Sequence, residues 1–328
     1  MKFSVIIPVY NIEDYIENCL QTILNQSFTD YEIILINDGS SDHSKDICEE
    51  YVKNYSNIKL IDKENGGPSS ARRAGVERAE GDYIICVDGD DYIHRDLFLK
   101  IDNCIDNNPD VDLVCFGYYK DQNGVISEPI NNQLREGVYT DIDQIRRKYL
   151  YDDTLDSENT GCMIYSLWCK AIKRNIFEVC QNYVTDKIKN GEDNLLTACA
   201  LSIANNISVI DFAGYYYRDN QNSITHVRKA FDLVNVTNVA KKMENIGVFP
   251  LMNVAHNYLY SIYILAMDMA RQSASFDEFI KLINYLEIDN KYNSIKPYGS
   301  KLKYRYRIKY KLIQKKLWRV LYVLSRVH

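Results

Sequence analysis

Several familiar signatures are absent from this 328-residue chain. It has neither G-x-G-x-x-G nor G-x-x-x-x-G-K-[ST], which removes the usual grounds for a dinucleotide fold or a P-loop. None of the nine cysteines forms a C-x-x-C pair, and no Cys/His cluster has zinc-ligand spacing. An odd cysteine count with irregular gaps argues for reduced thiols rather than a disulfide framework. No apolar run reaches the roughly 18 residues that suggest a membrane span. The opening "MKFSVIIPVY" has one lysine, and Pro8 interrupts its short apolar run, so it does not read as a signal peptide. A cytoplasmic chain is expected.

Hydrophobic content of 46% with 26% charged residues is that of a soluble globular protein with a sizeable core. Tyrosine is abundant at 27 against two Trp, which fits either carbohydrate stacking or the codon bias of an AT-rich genome. Charge is unevenly spread. From Lys301 to His328 there are ten Lys or Arg and no acid, so the formal net charge of −6 divides into +10 on this tail and −16 on the rest.

Short Val- and Ile-rich runs at 3–9, 31–37, 58–62, 82–88 and 111–117 read as strands buried on both faces. Helical patterns lie between them at 12–26, 43–56, 69–80 and 96–107. Right-handed crossovers then make an α/β fold with a mostly parallel sheet, flanked by helices. Farther on, a hairpin is expected at Asn123–Gly124, with helices near 141–150 and 191–205. From about 228 the chain reads as helical, which gives an expected first domain of 1–227 and a helical C-terminal region of 228–328.

Ligands in such sheets bind beyond the C-terminal strand ends. Four polar loops fall there: "PVYN", "NDGSSD", "ENGGPSSARR" and "DGDD". Plain turns would account for their Gly and Asn, but not for the recurring acids. Asp88 and Asp90, with Asp91 beside them, can present hard oxygen ligands to Mg2+ or Mn2+ and leave positions for phosphates. Asp38 can accept from a base or a ribose hydroxyl, or can simply shape an Asp–Gly turn. Arg72 and Arg73 oppose the dipole at the start of a helix, which suggests a negative ligand. Glu192 and Asp193 open a helix in "NGEDNLLT"; they are either ordinary N-terminal acids or the base that deprotonates an attacking hydroxyl.

Read together, "SVIIPVYN", "YEIILINDGSSD", "ENGGPSSARRAG", "AEGDYIICVDGDDYI" and "GEDNLLT" resemble glycosyltransferase family 2, the inverting GT-A enzymes. The likeness is close over roughly residues 1–120 and looser to about 226. It implies a GT-A fold and transfer of a sugar from a nucleotide donor, usually a UDP-sugar, assisted by Mn2+ or Mg2+. Pro8 and Tyr10 would flank the base and Asp38 would bind the uracil. Asn65 and Arg72 would lie near the nucleotide, and Asp88, Gly89 and Asp90 would form the D-x-D. Asp193 would be the base, with Glu192 beside it. Trp168 and Lys170 in "SLWCKAIKR" would shape the sugar or acceptor pocket, although Trp168 reads equally as a core aromatic. "YYYRDNQNSITH" would close over the diphosphate with Tyr217, Arg218 and Ser223, and its His226 is a candidate third metal ligand. The chain departs from the family where Arg73 replaces an expected Asn.

The tail interleaves basic and apolar residues, which suits an anionic membrane surface. Packing on the acidic body is the alternative, and the strict alternation over 301–312 also admits a strand. Nucleic acid is disfavoured by the acidic body. A chain held peripherally on the inner face of the plasma membrane would suit a glycan or lipid-linked acceptor in capsule, exopolysaccharide or O-antigen assembly. The competing class is a non-catalytic nucleotide-sugar-binding partner of another transferase.

Overall fold

The computed structural model describes residues 1–131, 135–141, 166–184, 191–219, 233–246, 251–285, 288 and 304–326. They fall into two compact units. The helix expected near 141–150 and the residues Ser223 and His226 lie outside the described residues.

The first unit is built on one sheet. Its strands are β1 (Phe3–Val9), β2 (Tyr31–Asn37), β3 (Ile58–Asp62), β4 (Tyr83–Cys86), β5 (Tyr92–Ile93), β6 (Leu113–Gln122), β7 (Val125–Ile126), β8 (Gly137–Tyr139), β9 (Lys170–Lys173) and β10 (Ile207–Arg218). The main order is β3-β2-β1-β4-β9-β6-β10-β5. β1 pairs in parallel with β2 on one side and with β4 on the other. The chain therefore winds outward through β2 and β3, then returns to the far side of β1. That reversal opens a crevice at the carboxyl ends of β1, β2 and β4.

β9 was not legible as a strand. It inserts antiparallel between β4 and β6, so the parallel order is interrupted where the strand pattern alone suggested continuity. Four residues, with lysines at both ends, carry too little periodicity to mark a strand, and only distant partners make it one. The hairpin at Asn123–Gly124 joins β6 to β7, and both turn residues have positive φ, as a two-residue hairpin turn requires.

Among the described residues of this unit, helices α1 (Ile16–Leu24), α2 (Ser44–Asn54), α3 (Pro68–Val76), α4 (Leu97–Asn107), α5 (Arg174–Gln181) and α6 (Glu192–Ile203) accompany the sheet. α1 buries Ile16, Cys19, Leu20 and Ile23, the single stripe of an amphipathic helix. α3 starts on Pro68 and lies close to the sheet. A Cβ at Gly75 would sit 2.8 Å from Ile6 Cγ2 and 2.9 Å from Ile36 Cδ1, so only glycine permits this approach without repacking. The eight described cysteines are buried free thiols.

The second unit is helical: α7 (Leu233–Ile246), α8 (Leu251–Gln272), α9 (Phe276–Tyr285), α10 (Tyr304–Gln314) and α11 (Trp318–Leu324). α8 packs against the other four. The alternating basic segment is thus a helix, not a strand. Lys309 lies over the rings of Tyr260 and Tyr263 of α8, at 5.5 and 4.9 Å, and Tyr310, Leu312 and Ile313 are buried. α10 ends in a Schellman motif at Lys316, whose φ is +50°. Its N–H bonds the Ile313 carbonyl at 3.0 Å, and that of Leu317 bonds the Leu312 carbonyl at 2.8 Å. Among the described residues, no helix is long and apolar enough to cross a membrane.

Candidate active site

The crevice begins where β1 ends. Pro8 is half-buried and Tyr10 is 50% exposed. Asn11 follows with φ +51°, and its Oδ1 accepts the Ser41 N–H at 2.8 Å. The Asn11 and Ile12 N–H groups donate to Ser40 Oγ and Ser44 Oγ, at 3.2 and 2.9 Å. These bonds zip the loops after β1 and β2 together.

Asp38 is buried at the end of β2, and its carboxylate organises the third loop. It accepts the Gly66 and Gly67 N–H groups at 3.0 and 2.7 Å and the Lys63 ammonium at 2.6 Å. Asn65 is exposed on that same loop. Lys63 was not singled out in the sequence, although it follows β3 directly and so occupies a strand end like the other site residues.

Asp88, Asp90 and Asp91 stand beyond β4 and divide into two roles. Asp91 is buried and turned inward. Its carboxylate accepts the Tyr215 hydroxyl at 2.6 Å and the Arg218 N–H at 2.8 Å. Burial, together with the charges of Asp88 and Asp90, pushes its pKa well up. The Tyr215 oxygen also accepts the Asp88 N–H at 3.1 Å, so one buried phenol orients both ends of the acidic turn. Nothing in the run "YYYR" distinguishes Tyr215 from its neighbours; strand parity alone places it. Asp88 and Asp90 stay half-exposed. Gly89 between them lies against the β1 loop: a Cβ there would meet Ile12 Cδ1 at 2.4 Å and the Pro8 oxygen at 3.1 Å.

Arg72 connects this turn to the start of α6. It is 3% exposed; one terminal nitrogen contacts Asp193 Oδ1 at 2.6 Å and the other Asp88 Oδ1 at 3.0 Å. Glu192 Oε1 is 3.8 Å away. α3 runs Pro68–Val76, so Arg72 is its fifth residue and Arg73 lies in its last turn, not at the helix start as expected. The anions that Arg72 meets are the protein's own carboxylates, not the dipole's counterpart. Burial works against the guanidinium charge, but Asp193 and Asp88 more than offset it and keep Arg72 protonated. Burial raises the pKa of Asp193, while Arg72 opposes that rise. Glu192 is pushed up to about 7 by burial and then by the adjacent Asp193.

Arg73, one residue on, is directed elsewhere. It donates to the Val184 carbonyl at 2.8 Å, tying α3 to the segment that follows α5. Trp168 is 8% exposed, stacked on Tyr215 at 4.5 Å and on Tyr217 at 5.5 Å, with Tyr118 edge-on at 4.9 Å. It supports the site from beneath, through Tyr215. Lys170 is buried and donates to the Ser166 carbonyl, and its charge favours the ionised form of Asp193. The Arg218 guanidinium lies over Tyr15 and Tyr92 at 5.2 and 5.1 Å and reaches Asn18 Oδ1 at 2.8 Å.

No group of three His, Cys, Asp or Glu side chains among the described residues is arranged to hold a metal alone. Asp88 and Asp90 supply hard oxygen donors at a half-exposed turn. Such a donor set fits Mg2+ or Mn2+ when bound phosphates and water complete the shell.

Comparisons with known proteins agree with this architecture. The family model described as Glycosyl transferase family 2 matches residues 4–180. An uncharacterized glycosyltransferase, EpsJ of Bacillus subtilis (strain 168), is 34% identical over 224 residues, 68% of this chain and 63% of that protein. A poly(ribitol-phosphate) beta-glucosyltransferase of Bacillus spizizenii is 34% identical over 66% of this chain, but this covers 32% of its own length. The chain thus spans less than two thirds of these curated relatives. Among solved structures, S. aureus TarS 1-349 in complex with UDP-GlcNAc superposes with a TM-score of 0.72 at 20% identity, covering 99% of this chain and 91% of that one. That likeness establishes the fold, a GT-A arrangement of a central sheet flanked by helices.

Proposed function

The chain belongs to glycosyl transferase family 2, and from that premise we propose that it moves a sugar from a UDP-sugar to a hydroxyl of a glycan or lipid-linked glycan, with inversion, in surface polysaccharide synthesis. One observation carries the reading. A single guanidinium, that of Arg72, touches both Asp88 and Asp193. The turn suited to a diphosphate and the acid suited to deprotonating an acceptor are therefore one side chain apart. A one-step displacement needs that closeness.

In this reading Pro8 and Tyr10 border the base, and Asp38, Lys63 and Asn65 form the nucleotide wall. Asp88 and Asp90 would hold Mn2+ or Mg2+, which when bound neutralises charge developing on the departing diphosphate. Asp193 accepts the proton of the acceptor hydroxyl, and Arg72 holds its carboxylate toward the crevice. Burial raises the Asp193 pKa from its ordinary value, which favours a proton acceptor over an inert ion. Glu192 stands beside it as the second acid of the pocket. Donors carried by TarS and, in PcManGT, GDP-Man with Mn2+ support a nucleotide sugar and a divalent metal as the classes to test. We place the enzyme at the inner face of the plasma membrane, where a lipid-carried acceptor would be met.

The test is a donor panel with Mn2+, with and without EDTA, reading released nucleoside diphosphate. One UDP-sugar should be turned over, and EDTA should stop the reaction. Asp193→Asn should lose transfer but keep UDP binding. UDP binding without turnover for any donor and acceptor pair would instead support a non-catalytic binding partner, and undiminished transfer by Asp193→Asn would refute the assigned base.

A further inference from the structure

α10 and α11 have two different faces. Inward, Tyr310, Leu312, Ile313, Trp318 and Leu321 are buried within the helical unit. Outward, Leu317, Val320, Val323 and Leu324 are 42, 46, 60 and 38% exposed. The N-cap Leu317, with Val320 and Leu324, lies on one side of α11, while Trp318, Leu321 and Ser325 lie on the adjacent, buried side, about 100° round the helix. Single exposed aliphatics are ordinary, but three on one short helix with a fourth at its N-cap form a patch.

Within the tail the charges have one sign, although α9, which packs against α11, carries the exposed acids Asp277 and Glu278. Lys311, Lys315, Lys316 and Arg319 are exposed around it, and no acid occurs from Lys301 onward. Lys316 lies at the left-handed C-cap of α10, so the turn between the helices presents Lys315, Lys316 and Leu317 together. Trp318 and Tyr310 are buried on the inner side, and Tyr322 is half-buried against Phe276 and Phe279. Among the described residues, the exposed apolar positions of α11 and its N-cap are therefore aliphatic and flanked by lysines and Arg319, without an exposed aromatic of the kind that protein interfaces favour.

We propose that this facet docks on an anionic lipid surface. Val320, Val323, Leu317 and Leu324 enter the headgroup boundary, and Lys311, Lys315 and Lys316 lie against acidic headgroups. The inner face keeps the facet folded against its own unit, so docking requires no prior ordering of the tail. The inference extends the function above by naming how such an enzyme would reach a lipid-carried acceptor, and it rests on that reading only for its purpose.

The experiment is flotation of the full 328-residue chain with phosphatidylcholine vesicles, with and without about 30% phosphatidylglycerol. Three variants accompany it: Lys311→Gln/Lys315→Gln/Lys316→Gln, Val320→Ser/Val323→Ser, and Val320→Asp/Val323→Asp. All substitute exposed positions, and circular dichroism with thermal melting checks that the fold is kept. The wild type should bind only the anionic vesicles and be released by high salt. At about 1 kcal/mol per basic residue, the triple variant should bind roughly a hundredfold more weakly. The serine variant should lose about tenfold and the aspartate variant more. No vesicle binding, equal binding to neutral vesicles, or a dimer dissolved by the aspartate substitutions without vesicle binding would each overturn the proposal. Sugar transfer to a water-soluble acceptor is measured in parallel. Vesicle binding without transfer counts only against the enzymatic reading, and transfer without vesicle binding counts only against this one.

Discussion

Replacing Arg72 with Met tests the electrostatics of the site most directly. The substitution keeps much of the apolar volume but removes the cation shared by Asp88, Asp193 and, at longer range, Glu192. Breaking a fully buried pair costs about 3–5 kcal/mol. Here the partner carboxylates are 25% and 29% exposed, so solvent screens part of the loss and about 2–3 kcal/mol is expected at pH 8. For a unit of about 200 residues that corresponds to a Tm drop of roughly 5–10 °C. The loss should depend on pH. Arg72 is what lowers the raised pKa values of Asp193 and Glu192, so its removal lifts both further. Between the unfolded carboxylate pKa of about 4 and those folded values, the folded variant holds protons that the unfolded chain has released. Its stability therefore falls as pH rises through that window. At pH 5, where Glu192 is protonated, the Tm difference should shrink to less than half. Arg72→Lys, which keeps the charge but not the two-sided reach, should fall between. Melting curves at pH 5 and pH 8 decide the matter. An equal loss at both pH values, or a gain at pH 8, would refute the reasoning.

Glu192→Gln should do the reverse. Its folded pKa of about 7 lies above the unfolded value, so the carboxyl's contribution is lost as pH rises from about 4.5 through 7. The amide escapes that loss, and the variant should melt several degrees higher than wild type at pH 8 but alike at pH 5. Trp168→Leu should cost about 2–4 kcal/mol in denaturant unfolding, because its ring supports Tyr215 and Tyr217, and should weaken UDP binding by loosening the Asp88 turn. A cost below about 1 kcal/mol would mean that the stack contributes little. Lys316→Gly should stabilise the helical unit by about 0.5–1 kcal/mol, since a lysine at φ +50° occupies a glycine position. A lower urea midpoint would contradict the cap assignment.

The early strands and helices were legible because each announces itself locally. β1, β2 and β3 are short Val- and Ile-rich runs with polar ends, and α1 carries its core residues on one stripe. The strand ends also marked where a site would form, since backbone direction alone brings parallel strand ends to one side. β9 escaped because four residues take their strand identity from β4 and β6, far away in the chain. The tail was read as helical and is so; its alternation left a strand open, and the tyrosines of α8 that receive Lys309 cannot be seen in the string.

Within the site, the residue types were readable and their partners were not. Asp88, Asp90 and Asp91 look alike in the string, yet Tyr215 draws Asp91 inward and leaves the other two at the crevice. Arg72 was expected to face a negative ligand from its place near a helix start, but it lies mid-helix, and its partner Asp193 stands 121 residues later and meets it only when the sheet closes. Arg73, one position on, points to a backbone carbonyl because a helix turns about 100° per residue. Local periodicity and turn chemistry depend on neighbours in the chain, so they can be read from the string. Which carboxylate is neutralised, buried or left to solvent depends on groups brought close in space, and the folded arrangement alone supplies those.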